Sequence, residues 1–249
     1  MIMRLVFFDM DGVLTPKAHA IFLAEMVNRG DELRKIFSGT TNRKIGLEWV
    51  VREGAKIFVD VPESQLEEAG KKLPMAKGAA KTIKELKKAG YEPILITNGI
   101  EQIAGAFAQR LGISEWYGNA LQIRKGRTTG DLDTSELITF QSKGDVVRRI
   151  VAQRSSKSES VAVGNDENDW AMFQQVGFSV LFNPSPNLKN RLKKCLDEAE
   201  KGFKKEFIEF SKSVNVIIEE PDLRLMLPFL IPEPTVFPDK VRIEKTKFI

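Results

Sequence analysis

A single cysteine, Cys195, cannot close a disulfide within the chain, and no Cys/His cluster stands near it to form a zinc site. Long apolar runs are missing as well. The longest, such as Leu5-Val6-Phe7-Phe8 and Pro93-Ile94-Leu95-Ile96, are strand-sized and fall far short of the roughly 20 residues that cross a bilayer. Met1-Ile2-Met3-Arg4 lacks the charged, apolar and small-residue order of a secretory signal and leads straight into a strand pattern. These absences argue against a disulfide-stapled fold and a membrane span, and a cytoplasmic protein is expected. Charge of one sign is also scarce. The net charge is +4, but acids and bases alternate through Lys81–Lys88 and Lys189–Lys205, the pattern of a solvated helix face. Nucleic acid is therefore not an expected partner, whereas a mildly positive surface suits a small phosphorylated metabolite. No internal repeat is visible.

What is present is enough apolar material, 42% of 249 residues, for one core or for one domain carrying a smaller insertion. Arg4 to Phe8 reads as a short buried strand that stops abruptly at acids and Gly12. From Ala18 to about Lys72 the apolar residues fall at helical spacing, as in Ile21, Phe22, Ala24 and Met26, and a separate helical cap is expected there. After Pro74 the pattern alternates. Helices are predicted over Ala79–Ala89, Ile100–Leu111, Gly144–Gln153 and Asp169–Val176, and strands over Glu92–Ile96, Ser160–Val163 and Phe178–Phe182. Near-continuous apolar strands separated by helices imply a parallel sheet covered on both faces, an α/β fold. The predicted division is a core of residues 1–16 and 73–249 with a cap of 17–72. A helical insertion falls at about 189–213, and the Pro-rich segment at about 228–249 should run extended over the surface.

Three polar groups follow predicted strands and should meet at one edge of such a sheet, where its ligand crevice lies. They are Asp9 and Asp11, then Thr97-Asn98-Gly99, then the run Gly164-Asn165-Asp166-Glu167-Asn168-Asp169. Taken singly, each has a plainer reading: the acid pair as a cap or turn, Thr-Asn-Gly as a turn, Lys143 as an ordinary exposed lysine. Together they have a mechanical one. Clustered carboxylates repel unless a cation joins them, and hard oxygen donors suit Mg²⁺. Asp9 could attack phosphorus while Asp11 protonates the departing alkoxide and then deprotonates water. Thr97 and the amides of Asn98 and Gly99 could hold phosphate oxygens, with Lys143 as a point charge.

These residues resemble the four motifs of the haloacid dehalogenase superfamily, and among its members the chain is most similar to phosphoserine phosphatases. Motif one is Asp9-Met10-Asp11-Gly12-Val13-Leu14-Thr15, motif two ends at Thr97, motif three is Lys143, and motif four is Gly164 to Asp169. The likeness is dense from Leu73 to Leu188 and resumes at Ile217 to Leu227. It implies a Rossmann-like core with a helical cap after motif one, and Mg²⁺ as cofactor held by Asp9, the Asp11 backbone carbonyl and motif four, including Asp169. It also implies Asp9 as nucleophile, Asp11 as acid/base with its carboxyl free, and Thr97, Lys143 and Asn168 on the phosphate. Asn165 stands where the family places an acid, so that Asn165 or Asp166 is the metal ligand. Ala18 and Gly54 stand near the positions of the glutamate and arginine that grip phosphoserine, so phosphoserine is not the expected substrate. A mutase sharing the same intermediate and a non-catalytic phosphate-binding protein are the alternatives. His19, the one histidine, reads as a surface or hinge residue, Trp49 and Phe58 as cap core, and Cys195 as chemically idle.

Overall fold

Successive residues of β1 (Arg4–Phe8) point to opposite sides of a sheet, and both sides have to be covered because Leu5, Val6, Phe7 and Phe8 are all fully buried. Val6 and Phe8 join one apolar cluster, Leu5 and Phe7 another. The computed structural model describes residues 2–39, 47–133, 137–197 and 202–231. After β1 the chain forms α1 (His19–Met26), α2 (Gly30–Gly39), α3 (Leu47–Lys56), α4 (Glu63–Lys72) and α5 (Ala79–Lys88). There follow β2 (Tyr91–Ile100), α6 (Glu101–Leu111), β3 (Glu115–Asn119), β4 (Leu121–Arg124), β5 (Arg127–Leu132) and α7 (Ser142–Arg154). The chain continues through β6 (Ser160–Gly164), α8 (Trp170–Phe173), β7 (Phe178–Phe182), α9 (Pro186–Asp197), α10 (Lys205–Ser213), β8 (Val216–Ile218) and α11 (Leu227–Leu230).

Six strands lie in the order β3-β2-β1-β6-β7-β8, every pairing parallel, and β1 sits between β2 and β6. Helices cover both faces, so the α/β, Rossmann-like expectation is met, with a smaller subdomain that is helical and antiparallel. Residues of α7 to α10, among them Val147, Phe173, Leu192 and Phe210, complete the cluster around Leu5 and Phe7. The segment read as an insertion is therefore one wall of the core. Among the described residues no helix is long and apolar enough to cross a membrane.

Several expectations change. The cap is not separately cored: Leu33, Ala55, Phe58 and Leu66 belong to the same cluster as Val6 and Phe8. Nor is it wholly helical, because the hairpin β4–β5 packs on α3 and a bridge joins Pro62 to Arg127. That hairpin, Leu-Gln-Ile-Arg and Arg-Thr-Thr-Gly-Asp-Leu, is too polar to announce itself, as is the half-exposed β3, while β8 is only three residues long. The second strand runs on to Ile100 and takes Thr97-Asn98-Gly99 with it, its pairing with β3 shifting register between Ile96 and Ile100. Lys143 lies inside α7 instead of ahead of it. The helix expected from Asp169 is a 3-10 turn (Glu167–Asp169) followed by the short α8, since the Gly177 N–H bonds the Ser160 carbonyl and draws the chain into β7. Residues 227–230 are helical despite Pro228, which falls in the first turn where a missing N–H costs no bond, and Leu227 and Leu230 are buried. Pro232, Pro234 and Pro238 lie outside the described residues. Trp49 is 45% exposed and is not cap core, whereas Phe58 is buried as expected.

The subdomain is fastened to the sheet by a close helix crossing. A Cβ built at Gly70 of α4 would stand 2.6 Å from both the Ala106 Cβ and the Ile103 carbonyl oxygen of α6. Arg110 adds hydrogen bonds to the Gly70 and Leu73 carbonyls at 2.9 and 2.7 Å. The backbone oxygen cannot give way as a flexible side chain would. Gly70→Ala is therefore expected to destabilise the protein by about 1–3 kcal/mol despite the better helix propensity of alanine, as read by denaturant unfolding.

Candidate active site

The C-terminal ends of three adjacent strands, β2, β1 and β6, bring the sequence motifs together where a ligand crevice is expected. Asp9 continues β1, its N–H bonding the Val163 carbonyl of β6 at 2.9 Å. The chain then turns sharply. The Met10 carbonyl receives the N–H groups of Leu14 and Thr15 at 3.0 and 3.1 Å, and Gly12 has φ +80°, a left-handed conformation open to glycine. Asn165, just past β6, lies against that glycine: a Cβ on Gly12 would be 2.2 Å from the Asn165 amide nitrogen.

A buried ion cluster lies at the centre. Lys143 is 1% exposed, with its Nζ 2.6 Å from Asp9 Oδ1 and 3.2 Å from Asp169 Oδ1. The other oxygen of Asp169 accepts the backbone N–H groups of Asn165 and Asp166 at 2.9 and 3.3 Å. Gly164 leaves room for this, since a Cβ there would fall 2.4 Å from the Asp169 carboxylate. Burial, with Asp169 and Asp11 nearby, pushes Asp9 up to about 7 against the opposing pull of Lys143. For Lys143 burial acts downward, but Asp9 and Asp169 outweigh it and hold the ammonium above its ordinary range.

Thr97 is buried, and its hydroxyl accepts the Gly99 N–H at 3.1 Å, so that amide is already engaged. Asn119 fixes the turn, donating to the Asn98 carbonyl at 2.8 Å and to the Ile138 carbonyl at 2.9 Å, while its own oxygen accepts the Ile138 N–H at 2.9 Å. Asp166 and Asn168 are exposed, and the Asp166 carboxylate accepts the Asn168 N–H as a helix cap.

His19 is not a surface histidine. It is 1% exposed; its Nε2 accepts the Ile100 N–H at 2.8 Å, which places the ring proton on Nδ1, 2.8 and 2.9 Å from the two oxygens of Asp11. Its own backbone N–H adds a third bond to Asp11 at 3.1 Å. The Asp11 carboxyl, expected to be free, is thus held from one side and about a third exposed on the other. The ring packs on Gly99, where a Cβ would lie 2.0 Å from Cε1, so this glycine answers to the histidine. A lone histidine eight residues after an acid was the available signal, but its meaning depends on a strand end 81 residues away.

Among the described residues no group of three or more His, Cys, Asp or Glu side chains is gathered to hold a metal. The donors at hand are mixed: carboxylates of Asp9 and Asp169, the amide of Asn165 and backbone oxygens. Mg²⁺ typically takes one or two carboxylates and keeps several waters. Two buried carboxylates against one lysine also leave an excess of negative charge, and the donor set fits such a cation.

This fold and this arrangement of acids, hydroxyl and lysine define a class. Residues 3–177 match the family of haloacid dehalogenase-like hydrolases, and the chain belongs to that family. Within it the chain is similar to phosphoserine phosphatases. It is 28% identical over 198 residues to that of Methanocaldococcus jannaschii, covering 79% of this chain and 93% of the relative. It is 29% identical to that of Archaeoglobus fulgidus, covering 75% of this chain and 54% of the relative. A solved phosphoserine phosphatase with a phospho-aspartyl intermediate analogue superposes with a TM-score of 0.72 at 25% identity, covering 92% of this chain and 99% of that one.

The grip of His19 fixes the orientation of the Asp11 carboxyl. His19→Ala is expected to lower kcat for an alkyl phosphate, whose leaving oxygen needs a proton, about tenfold more than for a nitrophenyl phosphate. Equal losses on both substrates would reduce His19 to a packing role.

Proposed function

We propose that the protein hydrolyses a small phosphate monoester through an aspartyl-phosphate on Asp9, with Mg²⁺ as cofactor, and that phosphoserine is not its substrate. The observation that carries the reading is the Lys143 ammonium shared between Asp9 and Asp169, with Asp11 and Thr97 at the ends of the neighbouring strands β1 and β2. The family membership and the phospho-aspartyl analogue in a similar phosphatase support it.

In this reading Asp9 Oδ attacks phosphorus as the ester P–O bond breaks. Asp11 delivers a proton to the leaving alkoxide, and then takes one from the water that hydrolyses the acyl phosphate. Thr97 and the Asn98 amide hold phosphate oxygens, joined by Asn168 and Gly99 once the turn adjusts. Lys143 serves twice: it favours the ionised form of a carboxylate that burial would otherwise protonate, and it offsets charge on the transferring phosphoryl group. Mg²⁺, when bound, supplies the further positive charge that lets an anion approach an anion. Asp9, the Asp11 carbonyl, Asn165 and Asp169 would hold it. Asn165, lying over the Asp9–Gly12 turn, is favoured over the capping Asp166.

Turnover of p-nitrophenyl phosphate with Mg²⁺ tests this directly. EDTA should abolish it and added Mg²⁺ restore it; Asp11→Asn should cost roughly 10²–10⁴-fold in kcat. Asp9→Asn should leave no measurable activity, and normal activity in that variant would sink the mechanism.

A further inference from the structure

Asp11 borders a cavity of about 120 Å³ whose lining is mainly apolar. Asp11, His19, Asn98 and Gly99 form its floor. Leu33 and Phe37 of α2, Val51 of α3, Phe58, Leu121 of β4 and Leu132 of β5 supply walls. Among the described lining residues Asp11 and His19 are the only titratable ones, and His19 already satisfies Asp11 and Ile100. Asn119 also reaches the cavity, but both its donors and its acceptor are engaged with Asn98 and Ile138. Ala18 and Gly54 open onto the same space and offer no charge.

We propose that this cavity receives the leaving alcohol of the substrate and selects an uncharged, apolar group, a compact branched alkyl or an aryl. The inference rests on the proposed function: the acid that protonates the leaving oxygen is Asp11, so the organic group attached to that oxygen extends from Asp11. The apolar cavity opens at that point. An ammonium or carboxylate entering it would lose its water and find walls of Leu, Val and Phe in exchange, so its charge would go unpaired there. An apolar group loses nothing of the kind and gains burial. The size suits a compact group, since at about 120 Å³ the cavity is somewhat smaller than the carbon-lined cavity of about 150 Å³ that accepts a benzene ring. Gly54 provides the means to alter the space: among the described residues a Cβ built there meets only Leu33 Cδ1, at 3.8 Å, so a larger side chain on α3 starts with room beside the cavity.

The test compares kcat/KM, with Mg²⁺, for isopentyl and benzyl phosphates against O-phosphoserine and phosphoethanolamine, with methyl phosphate as the smallest ester and p-nitrophenyl phosphate as a reporter of general activity. The apolar esters are expected to exceed the charged ones by at least about tenfold. Gly54→Leu is expected to reduce the preference for isopentyl over methyl phosphate by at least about tenfold. Charged esters turned over as well as or better than isopentyl phosphate would overturn the inference and leave the hydrolase reading standing. So would a preference unaltered by Gly54→Leu. Absence of turnover for every ester, p-nitrophenyl phosphate included, would overturn both.

Discussion

One buried ammonium shared by two buried carboxylates holds the site together. Lys143, Asp9 and Asp169 arrive from α7, β1 and the turn after β6, and none of the three is more than 7% exposed. Such a cluster is a poor way to stabilise a fold: the loss of hydration roughly cancels the attraction, and removing one partner strands charge at a cost of about 3–5 kcal/mol. The surrounding structure is shaped to keep it. Gly164 clears space for the Asp169 carboxylate, two backbone N–H groups hold that carboxylate's other oxygen, and Gly144 lets α7 approach the Ala171 carbonyl to within 2.5 Å of where a Cβ would be.

The parallel sheet explains why these groups meet. Alternating side chains of β1 and β6 are consumed by the two cores, so the polar residues have to wait until each strand ends. With β1 flanked by β2 and β6, three consecutive strand ends open on one crevice. The subdomain above it adds a contrasting environment. Charge and hydrogen bonds gather around Lys143, while carbon dominates beyond Asp11, and the acid stands on the boundary between them.

Much of this was legible in the sequence, for a physical reason: strand-length apolar runs ending in acids report a parallel sheet and its crevice at once. Leu5 to Phe8 followed by Asp9 and Asp11, and Val161 to Val163 followed by the run to Asp169, carry fold and site in the same few residues. What escaped depends on partners remote in sequence. The β4–β5 hairpin is held by α3 and by the bridge to Pro62, not by its own weak pattern. His19 looked incidental because neither Asp11 nor Ile100 marks it from a distance. The sequence offers Gly99 only as an amide for phosphate, whereas in the structure its missing side chain leaves room for the His19 ring. Trp49 failed differently: an aromatic on an amphipathic helix suggested core, but it falls on the outer face of α3.

His19 is also the first residue of α1, and this gives its hydrogen bonds a mechanical meaning. Swinging α1 away from the sheet would pull the ring off both Asp11 and Ile100. The return path is tied as well, by the Ala76 N–H on the Leu14 carbonyl at 2.8 Å and by Arg110 on the end of α4. Both ends of the helical segment from α1 to α4 are therefore tied at the sheet. α2 and α3, which supply Leu33, Phe37 and Val51 to the cavity beside Asp11, take no part in those ties, so the cavity wall and the anchors of the subdomain are separate sets of residues.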